Sequence, residues 1–131
     1  MSGIIALSAL LKSMNPVLSK EEYVFCTVQS DIASISQLKP LCIFREEEGL
    51  TLVLEKTVAE ANALEFSTTL NKITLKVHSS LEAVGLTAAV ATALTQKGIS
   101  ANVIAAYYHD HIFVPSDKAA SALEALLAIS K

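Results

Sequence analysis

Cysteine and tryptophan are scarce in this sequence. Tryptophan is absent from the 131 residues, and cysteine occurs only as Cys26 and Cys42. There is no CxxC pair, so four thiolate or imidazole ligands cannot be assembled at zinc-finger spacing. Each cysteine lies in an apolar run, where a thiol behaves as a small hydrophobic group. We therefore expect both cysteines in the core, in a reducing compartment.

Basic charge is too sparse and too scattered for a nucleic-acid-binding surface. The chain has 10 basic and 13 acidic residues and a net charge of −3. Proteins that bind nucleic acids normally concentrate Lys and Arg in a stripe, because these side chains displace counterions from phosphates. The sequence therefore predicts no nucleic-acid partner.

Long apolar segments and a secretion signal are also missing. No run reaches the roughly twenty apolar residues that a membrane-spanning helix needs. Residues 1–7 carry no basic side chain before the apolar run, which a signal peptide would require. We expect no membrane partner and a cytoplasmic location.

Apolar residues, in contrast, are abundant. They make up 52% of the chain, and charged residues make up 18%. A chain of this length buries roughly two-thirds of its extended surface on folding, so the core is ample and disorder is not expected. The surplus apolar surface predicts an interface between copies, as a homodimer or higher homo-oligomer.

The first half of the chain alternates helical and strand periodicity. Asp31 is a candidate helix cap, and Glu48-Gly49 is a hairpin turn signal. The predicted elements are a helix over 4–14, a strand over 22–29, a short helix within 31–38, hairpin strands over 41–47 and 50–56, and a short helix over 58–64.

The second half begins with the clearest strand, residues 70–78, whose apolar and polar side chains alternate. Ser79-x-x-Glu82 fits a capping box, so a helix is predicted to begin at Ser79. Gly98 is expected to end this helix in the left-handed conformation. Gly85 would lie inside the helix, and its apolar stripe would include Ala88, Ala91 and Leu94. The predicted elements that follow are hairpin strands over 101–108 and 111–114 with a turn at His109-Asp110, and a last helix from Pro115 with the stripe Ala119, Ala120, Leu123, Leu126 and Leu127.

This order of elements predicts an α+β fold with two ferredoxin-like lobes. From residue 70 the order is βαββα, one strand short of the split βαβ unit, and the upstream part is similar. We predict lobes over residues 1–68 and 69–131, each with an antiparallel sheet covered by helices. The missing last strand of the second lobe must come from the N-terminal half or from another subunit.

The run HSSLEAVGLTAAVATALTQKGISANVIAAYYHDHIFVP, residues 78–115, resembles an ACT domain. The resemblance rests on Gly85 and on the Gly98-Ile99-Ser100-Ala101-Asn102 segment. The first half, with SGIIALSALLKSMNPVL, EEYVFCTV and FREEEGLTLVLEK, is similar to small bacterial tandem ACT proteins. More distant relatives of the two-lobe type include the regulatory tails of aspartate kinases and eukaryotic amino-acid sensors.

The resemblance implies a regulatory module that binds a small molecule, often an amino acid, where two ACT domains pair side by side. It implies no enzyme activity, because no catalytic domain is attached, and it implies no cofactor. It does not carry over the identity of the ligand. Mapped onto this sequence, the ligand-binding residues would be His78, Ser79, Ser80, Leu81, Val84, Gly85, Asn102, Val103, Ile104, Tyr107 and Asp110.

Part of this assignment has a physical basis of its own. A helix N-terminus offers free N–H groups and a partial positive charge, which suit the carboxylate of an amino acid. Gly85 would let that carboxylate, or another backbone, approach closely. Asp110 would suit the ammonium group through a charge-assisted hydrogen bond.

Two alternatives remain open from the sequence. His109 and His111, two residues apart on a strand, would face the same side and could bind a divalent metal, with only His78 left as a third ligand. The chain could also be an oligomerisation or interaction module without a ligand. The aromatic residues Phe25, Phe44 and Phe113 lie in predicted strands and are expected in the core.

Overall fold

The computed structural model describes residues 7–77 and 85–131. The α+β fold class is confirmed. No helix in those two ranges is long and apolar enough to cross a lipid bilayer. The helices are α1 (Leu7–Lys12), α2 (Ile32–Ile35), α3 (Lys56–Ala61), α4 (Leu86–Gln96) and α5 (Ala119–Ile129). The strands are β1 (Pro16–Val28), β2 (Cys42–Glu46), β3 (Gly49–Glu55), β4 (Leu70–Leu75), β5 (Asn102–Ala105) and β6 (Asp110–Pro115).

Internal contacts divide the chain into two units. Unit 1 consists of Met1–Ser19 together with Asn71–Lys131, and unit 2 is the continuous segment Lys20–Leu70. Strand β1 therefore contributes its first four residues, 16–19, to unit 1 and the rest to unit 2. Unit 1 is thus built from two pieces of chain that are far apart in sequence.

In unit 1 the strands lie in the order β1–β4–β6–β5, with β5 and β6 antiparallel. Strand β1 is held beside β4 at Ser19, whose backbone oxygen accepts from Asn71 Nδ2 at 3.3 Å and whose hydroxyl oxygen accepts from the Lys72 N–H at 3.0 Å. The N-terminal segment therefore supplies the strand that the βαββα order lacked.

The core of unit 1 lies between this sheet and helices α1, α4 and α5. Alternate residues of β4 and β6 point into it, because successive side chains of a strand face opposite sides. Its largest fully buried side chains are Leu10, Met14, Ile73, Leu75, Leu94, Ile112 and Leu126.

The start of α4 differs from the prediction, and its end agrees with it. Gly85 is not inside the helix: it precedes Leu86 with φ 102°, a value that no helical residue adopts. The predicted capping box of Ser79 and Glu82 lies outside the described residues. At the other end Gly98 has φ 71°. The Gly98 N–H donates to Thr95 O at 2.9 Å, and the Ile99 N–H donates to Leu94 O at 3.0 Å. That is the Schellman pattern predicted for a left-handed glycine.

The buried faces of α4 and α5 were predicted only in part. Leu94, Ala119 and Leu126 are buried as expected, whereas Ala88, Ala120 and Leu127 are exposed. Apolar residues occupy several faces of both helices, so their spacing alone does not select the buried one. The residues that are buried are Leu86, Val90, Ala93 and Leu94 in α4 and Ala119, Ala122, Ala125 and Leu126 in α5.

In unit 2 the strands lie in the order β2–β3–β1 and both pairings are antiparallel. The hairpin turn before Gly49 is where the sequence predicted it, with Gly49 opposite Glu46. Asp31 caps α2 as predicted: its carboxylate accepts from the Ser34 N–H at 2.9 Å and from the Ser34 hydroxyl at 2.8 Å. One face of the sheet forms a core with α2 and α3, and its buried residues are Val24, Cys26, Ile35, Leu38, Leu50, Leu52, Leu54 and Ala59.

Several local predictions about the strands were wrong. Strand β1 begins at Pro16 rather than at residue 22, and β4 ends at Leu75 rather than at residue 78. Phe44 was expected in the core but is 66% exposed, because it lies opposite Thr51 on the face of β2 that points away from the core of unit 2. Cys26 is buried, and Cys42 is half-buried.

Candidate functional site

Six of the eleven sequence-predicted ligand-binding residues can be placed, and all six belong to unit 1. They are Gly85, Asn102, Val103, Ile104, Tyr107 and Asp110. The other five, His78, Ser79, Ser80, Leu81 and Val84, lie outside the described residues.

Gly85 forms the N-cap of α4. Its carbonyl accepts the first helical hydrogen bond from the Ala89 N–H at 2.8 Å. No side chain of Gly85 can cap the helix, and the first turn of α4 contains no acidic residue. The free N–H groups and partial positive charge of this helix end are thus not offset within α4 itself. A Cβ added at Gly85 would meet the Leu7 side chain at 3.5 Å, which is ordinary van der Waals contact.

The β5–β6 hairpin turns earlier than the sequence predicted. Strand β5 ends at Ala105 and β6 begins at Asp110, and the Ala106 N–H donates to His109 O at 3.1 Å. Tyr107 and Tyr108 therefore lie on the turn and not on a strand. They are 73% and 66% exposed, whereas neighbouring residues of the predicted strand over 101–108 would face opposite sides. Their rings pack edge to face, with centroids 5.0 Å apart.

Asp110 stands where the turn enters β6. It shares its side of the strand with Ile112, which points into the core against the helices. Burial raises the pKa of the Asp110 carboxyl, and the neighbouring His109 imidazole opposes this by lowering it. The carboxylate is therefore partly withdrawn from water, so a cationic group beside it would be bound more strongly than at an open surface.

From the order of elements in unit 1 we infer that the start of α4 and the hairpin turn lie toward the same end of its strands. Thr74, near the end of β4, contacts His111, near the start of β6, so the end of β4 lies beside the hairpin turn. Helix α4 ends shortly before β5 begins, and β5 begins at the end of the strands away from the hairpin turn. With about 1.5 Å of rise per residue, α4 is about as long as these strands, so its first residue is expected toward the end that carries the turn.

The predicted residues of β5 do not share one face. Val103 packs on the core of unit 1, whereas Asn102 and Ile104 lie on the other side of the sheet, opposite Phe113 and His111. Asn102 also begins β5, at the end of the strand away from the hairpin turn. A ligand at the turn would thus meet Asp110 without contacting Asn102 of the same chain.

A hydrogen bond between neighbouring strands was missed by the sequence reasoning. Thr74 is 7% exposed, and its hydroxyl lies 2.9 Å from His111 Nδ1. Burial lowers the pKa of His111, and the positive charges of Lys72, His109 and Lys76 lower it further. The alternation in β4 predicted a polar face that contains Thr74, but no local signal showed that β6 lies next to β4.

The histidines of the hairpin do not form a metal site with other described residues. Across residues 7–77 and 85–131, no group of three His, Cys, Asp or Glu side chains is arranged to hold a metal ion. His109 Nδ1 is buried, and no described residue forms a hydrogen bond with it. His78, the third ligand that the sequence offered, lies outside the described residues.

Unit 2 contains an open groove of about 730 Å³. Its lining combines two carboxylates, two phenyl rings, three hydroxyl groups and one thiol: Phe25, Cys26, Thr27, Glu46, Thr51, Glu65, Phe66 and Ser67. The Thr51 hydroxyl donates to the Glu46 carboxylate. None of the sequence-predicted ligand-binding residues lines this groove.

Comparison with protein families gives two matches in tandem. Residues 2–71 match one model of the ACT domain, and residues 68–128 match another. No curated protein sequence matches the chain.

Solved structures extend these matches. A Vibrio cholerae protein, described as of unknown function and a possible transport protein, is 55% identical over 99% of this chain and 100% of its own, with a TM-score of 0.89. An Agrobacterium tumefaciens protein is 15% identical over 84% of each chain, with a TM-score of 0.67. The ligand-free regulatory subunit of aspartate kinase from Thermus thermophilus is 10% identical over 91% of this chain and 99% of its own, with a TM-score of 0.68. At such identities the last two show likeness of fold.

Proposed function

The chain belongs to the ACT-domain family, as two ferredoxin-like ACT domains in tandem, and from this premise we propose that it is a regulatory module that senses an amino acid. The two tandem matches carry the proposal, because ACT domains are regulatory and not catalytic. The fold likeness to the regulatory subunit of an aspartate kinase supports the same class of function. We propose no enzyme activity and no cofactor for this chain.

We propose that the amino acid binds in unit 1 at the end of the strands where α4 begins and the β5–β6 hairpin turns. The start of α4, which no side chain among the described residues caps, would receive the carboxylate, since free N–H groups and the helix dipole both favour an anion there. Asp110 would receive the ammonium group through a charge-assisted hydrogen bond. The carboxyl is partly withdrawn from water, which supports this role.

The predicted ligand-binding residues of β5 fit a site shared between two copies of the chain better than a site within one copy. Asn102 and Ile104 lie on the face of the sheet opposite Val103, so a single ligand would not contact all three from one subunit. We propose that the module acts as a homodimer or higher homo-oligomer. Strand β5, at the edge of the sheet of unit 1, offers backbone groups to a second copy.

A thermal-shift screen against the twenty amino acids tests the proposal. A ligand at about one hundred times its dissociation constant adds about 2.7 kcal/mol of stability, which raises the melting temperature by several degrees. The shift should disappear in Asp110→Asn and persist in Asp117→Asn, a matched change at an exposed position before α5. A screen without any hit would contradict the sensor function and favour an interaction module, for which the exposed rings of Tyr107 and Tyr108 offer a contact surface.

The proposed assembly is tested by a separate measurement. Analytical ultracentrifugation with and without the amino acid should show a mass above that of one chain, and a monomer at all concentrations would contradict the proposed oligomer. We propose a cytoplasmic location, which the free thiols of Cys26 and Cys42 support.

A further inference from the structure

The groove of unit 2 extends over the face of the sheet that is turned away from α2 and α3. Leu50 and Leu52 point into the core of unit 2, so Thr51 between them points to the other face. Thr27 of β1 pairs directly with Thr51 of β3 and therefore shares that face. Both threonines line the groove of about 730 Å³, which places it beside two hydroxyl groups on this outer face.

Strand β2 brings the first carboxylate to the groove. Glu46 lies two residues beyond Phe44, which pairs with Thr51, so Glu46 is on the same face as Thr51. The Thr51 hydroxyl donates a hydrogen bond to the Glu46 carboxylate. An ionised carboxylate can accept about four hydrogen bonds. The contact with Thr51 therefore orients the Glu46 carboxylate and leaves it able to accept from a ligand.

The segment that follows α3 brings a second carboxylate and an aromatic ring. Glu65, Phe66 and Ser67 all line the groove. Phe66 is half-buried and packs against the core of unit 2, so packing holds its ring in place. Glu65 is exposed. The fold of unit 2 thus brings two carboxylates from separate parts of the chain, Glu46 and Glu65, to one groove that also contains an aromatic ring.

Negative charge is concentrated in unit 2. The segment Lys20–Leu70 has nine acidic and four basic residues, a net charge of −5, whereas the whole chain has −3. Arg45, the neighbour of Glu46, points to the other face of β2, and Lys56 lies 3.9 Å from a Glu22 carboxylate oxygen. No basic side chain is among the described residues that line the groove. The groove therefore presents its two carboxylates without a cation of unit 2 beside them in its lining.

We propose that this groove binds a small organic cation, an ammonium or guanidinium group on an apolar body, with Glu46 and Glu65 at the charge and the Phe66 ring beside it. Carboxylates accept charge-assisted hydrogen bonds from such cations, and the face of a phenyl ring attracts them. The volume of the groove lies in the range of small-molecule sites, roughly 300–1,000 Å³. A hard divalent metal needs six or more oxygen ligands, for which phenyl rings are no substitute. The site lies within unit 2, so it does not depend on the amino-acid site proposed in unit 1.

The experiment is an NMR titration of the whole chain, in EDTA, with three probes of the same body: 2-phenylethylammonium, 2-phenylethanol and phenylacetate. Saturable shifts at the amides of Thr27, Thr51 and Ser67 are expected with the ammonium probe. The alcohol should bind roughly tenfold more weakly, because it cannot form a charge-assisted hydrogen bond as a cation, and the anion should bind more weakly still. Equal affinity for the ammonium and the alcohol would overturn the proposal.

Variants assign the binding to the groove. Glu46→Gln and Glu65→Gln should each weaken binding of the ammonium probe roughly tenfold, the usual loss of one charge-assisted hydrogen bond. Glu60→Gln, an exposed position on α3 outside the groove, is the matched control and should keep the wild-type affinity. Phe66→Leu keeps an apolar side chain against the core and should weaken binding about two- to fivefold through loss of the ring. Wild-type affinity in both Glu46→Gln and Glu65→Gln would overturn the site.

One further variant separates this proposal from the amino-acid site of unit 1. Asp110→Asn should leave the response to 2-phenylethylammonium intact, because Asp110 does not line the groove. Shifts that centre on Asp110 and disappear in this variant would overturn the groove as the site of the cation. A failure of the amino-acid screen, in contrast, would leave the expected response of unit 2 unchanged.

Discussion

Replacing Gly85 with alanine tests both the backbone at the start of α4 and the role proposed for it. Gly85 has φ 102°, and an L-residue in the left-handed region costs about 1–2 kcal/mol. Alanine also restricts the unfolded chain, which returns about 0.4–1 kcal/mol. The expected net loss in the free energy of unfolding is therefore about 1 kcal/mol, with no large steric contribution, because the nearest atoms to the new Cβ belong to Leu7 at 3.5 Å or more.

Gly98→Ala is the matched control at the other end of the same helix. Gly98 also has a positive φ, 71°, and a Cβ there meets nothing within 4 Å. The two variants should lose similar stability for the same backbone reason. They should differ in ligand binding, because Gly85 directly precedes the N–H groups that we propose for the carboxylate and Gly98 lies at the other end of the helix.

The assay is urea unfolding of wild type and both variants, followed by a thermal-shift titration with the amino acid that the screen identifies. Gly85→Ala should lose most of the ligand-induced shift, and Gly98→Ala should keep it. If Gly85→Ala were as stable as the wild type, the positive φ at this residue would be wrong. If both variants bound the ligand equally well, the carboxylate would not bind at the start of α4.

Three further predictions follow from burial and charge. Asp110→Asn should gain stability relative to wild type in urea unfolding above about pH 4. Burial raises the pKa of Asp110 above the ordinary value of 3.8, so the protonated carboxyl favours the folded state and this stabilisation is lost as the pH rises through the folded pKa. The neutral asparagine side chain avoids that loss. For His111 the pKa is lowered, so the wild type should become more stable as the pH rises toward the ordinary value of 6.5, and His111→Asn should flatten that slope; equal slopes would contradict it. Leu94→Ala should cost about 2–5 kcal/mol, since Leu94 is fully buried, whereas Leu127→Ala, at 44% exposure, should cost clearly less in the same assay.

The sequence predicted the parts of the fold that depend on neighbouring residues. The cap at Asp31, the hairpin turn before Gly49 and the left-handed Gly98 each follow from local backbone chemistry, and each is confirmed. Gly85 was misplaced because the apolar spacing continues through it, and spacing does not report a positive φ. The exposed Phe44 was misjudged because a strand pattern does not show which of its faces another layer covers.

The candidate site was less predictable, since it depends on which strands become neighbours. Thr74 and His111 are 37 positions apart, and their hydrogen bond exists only because β6 lies beside β4. The separation of Asn102 and Ile104 from Val103 depends on the exact register of β5 against β6. Residue types and spacing identify candidates for such a site, but long-range strand pairing decides which of them meet.

The two-piece construction of unit 1 also determines the order in which the chain can fold as it is made. Unit 2 is contiguous and emerges complete, whereas α1 and residues 16–19 emerge first and gain their partners only when β4 and β6 have been synthesised. Domains generally fold as units during synthesis, from the N-terminus onward, so unit 2 should become structured first and unit 1 last. A fragment of residues 69–131 would lack the strand that covers β4, and its open edge would be free to capture that strand from another molecule.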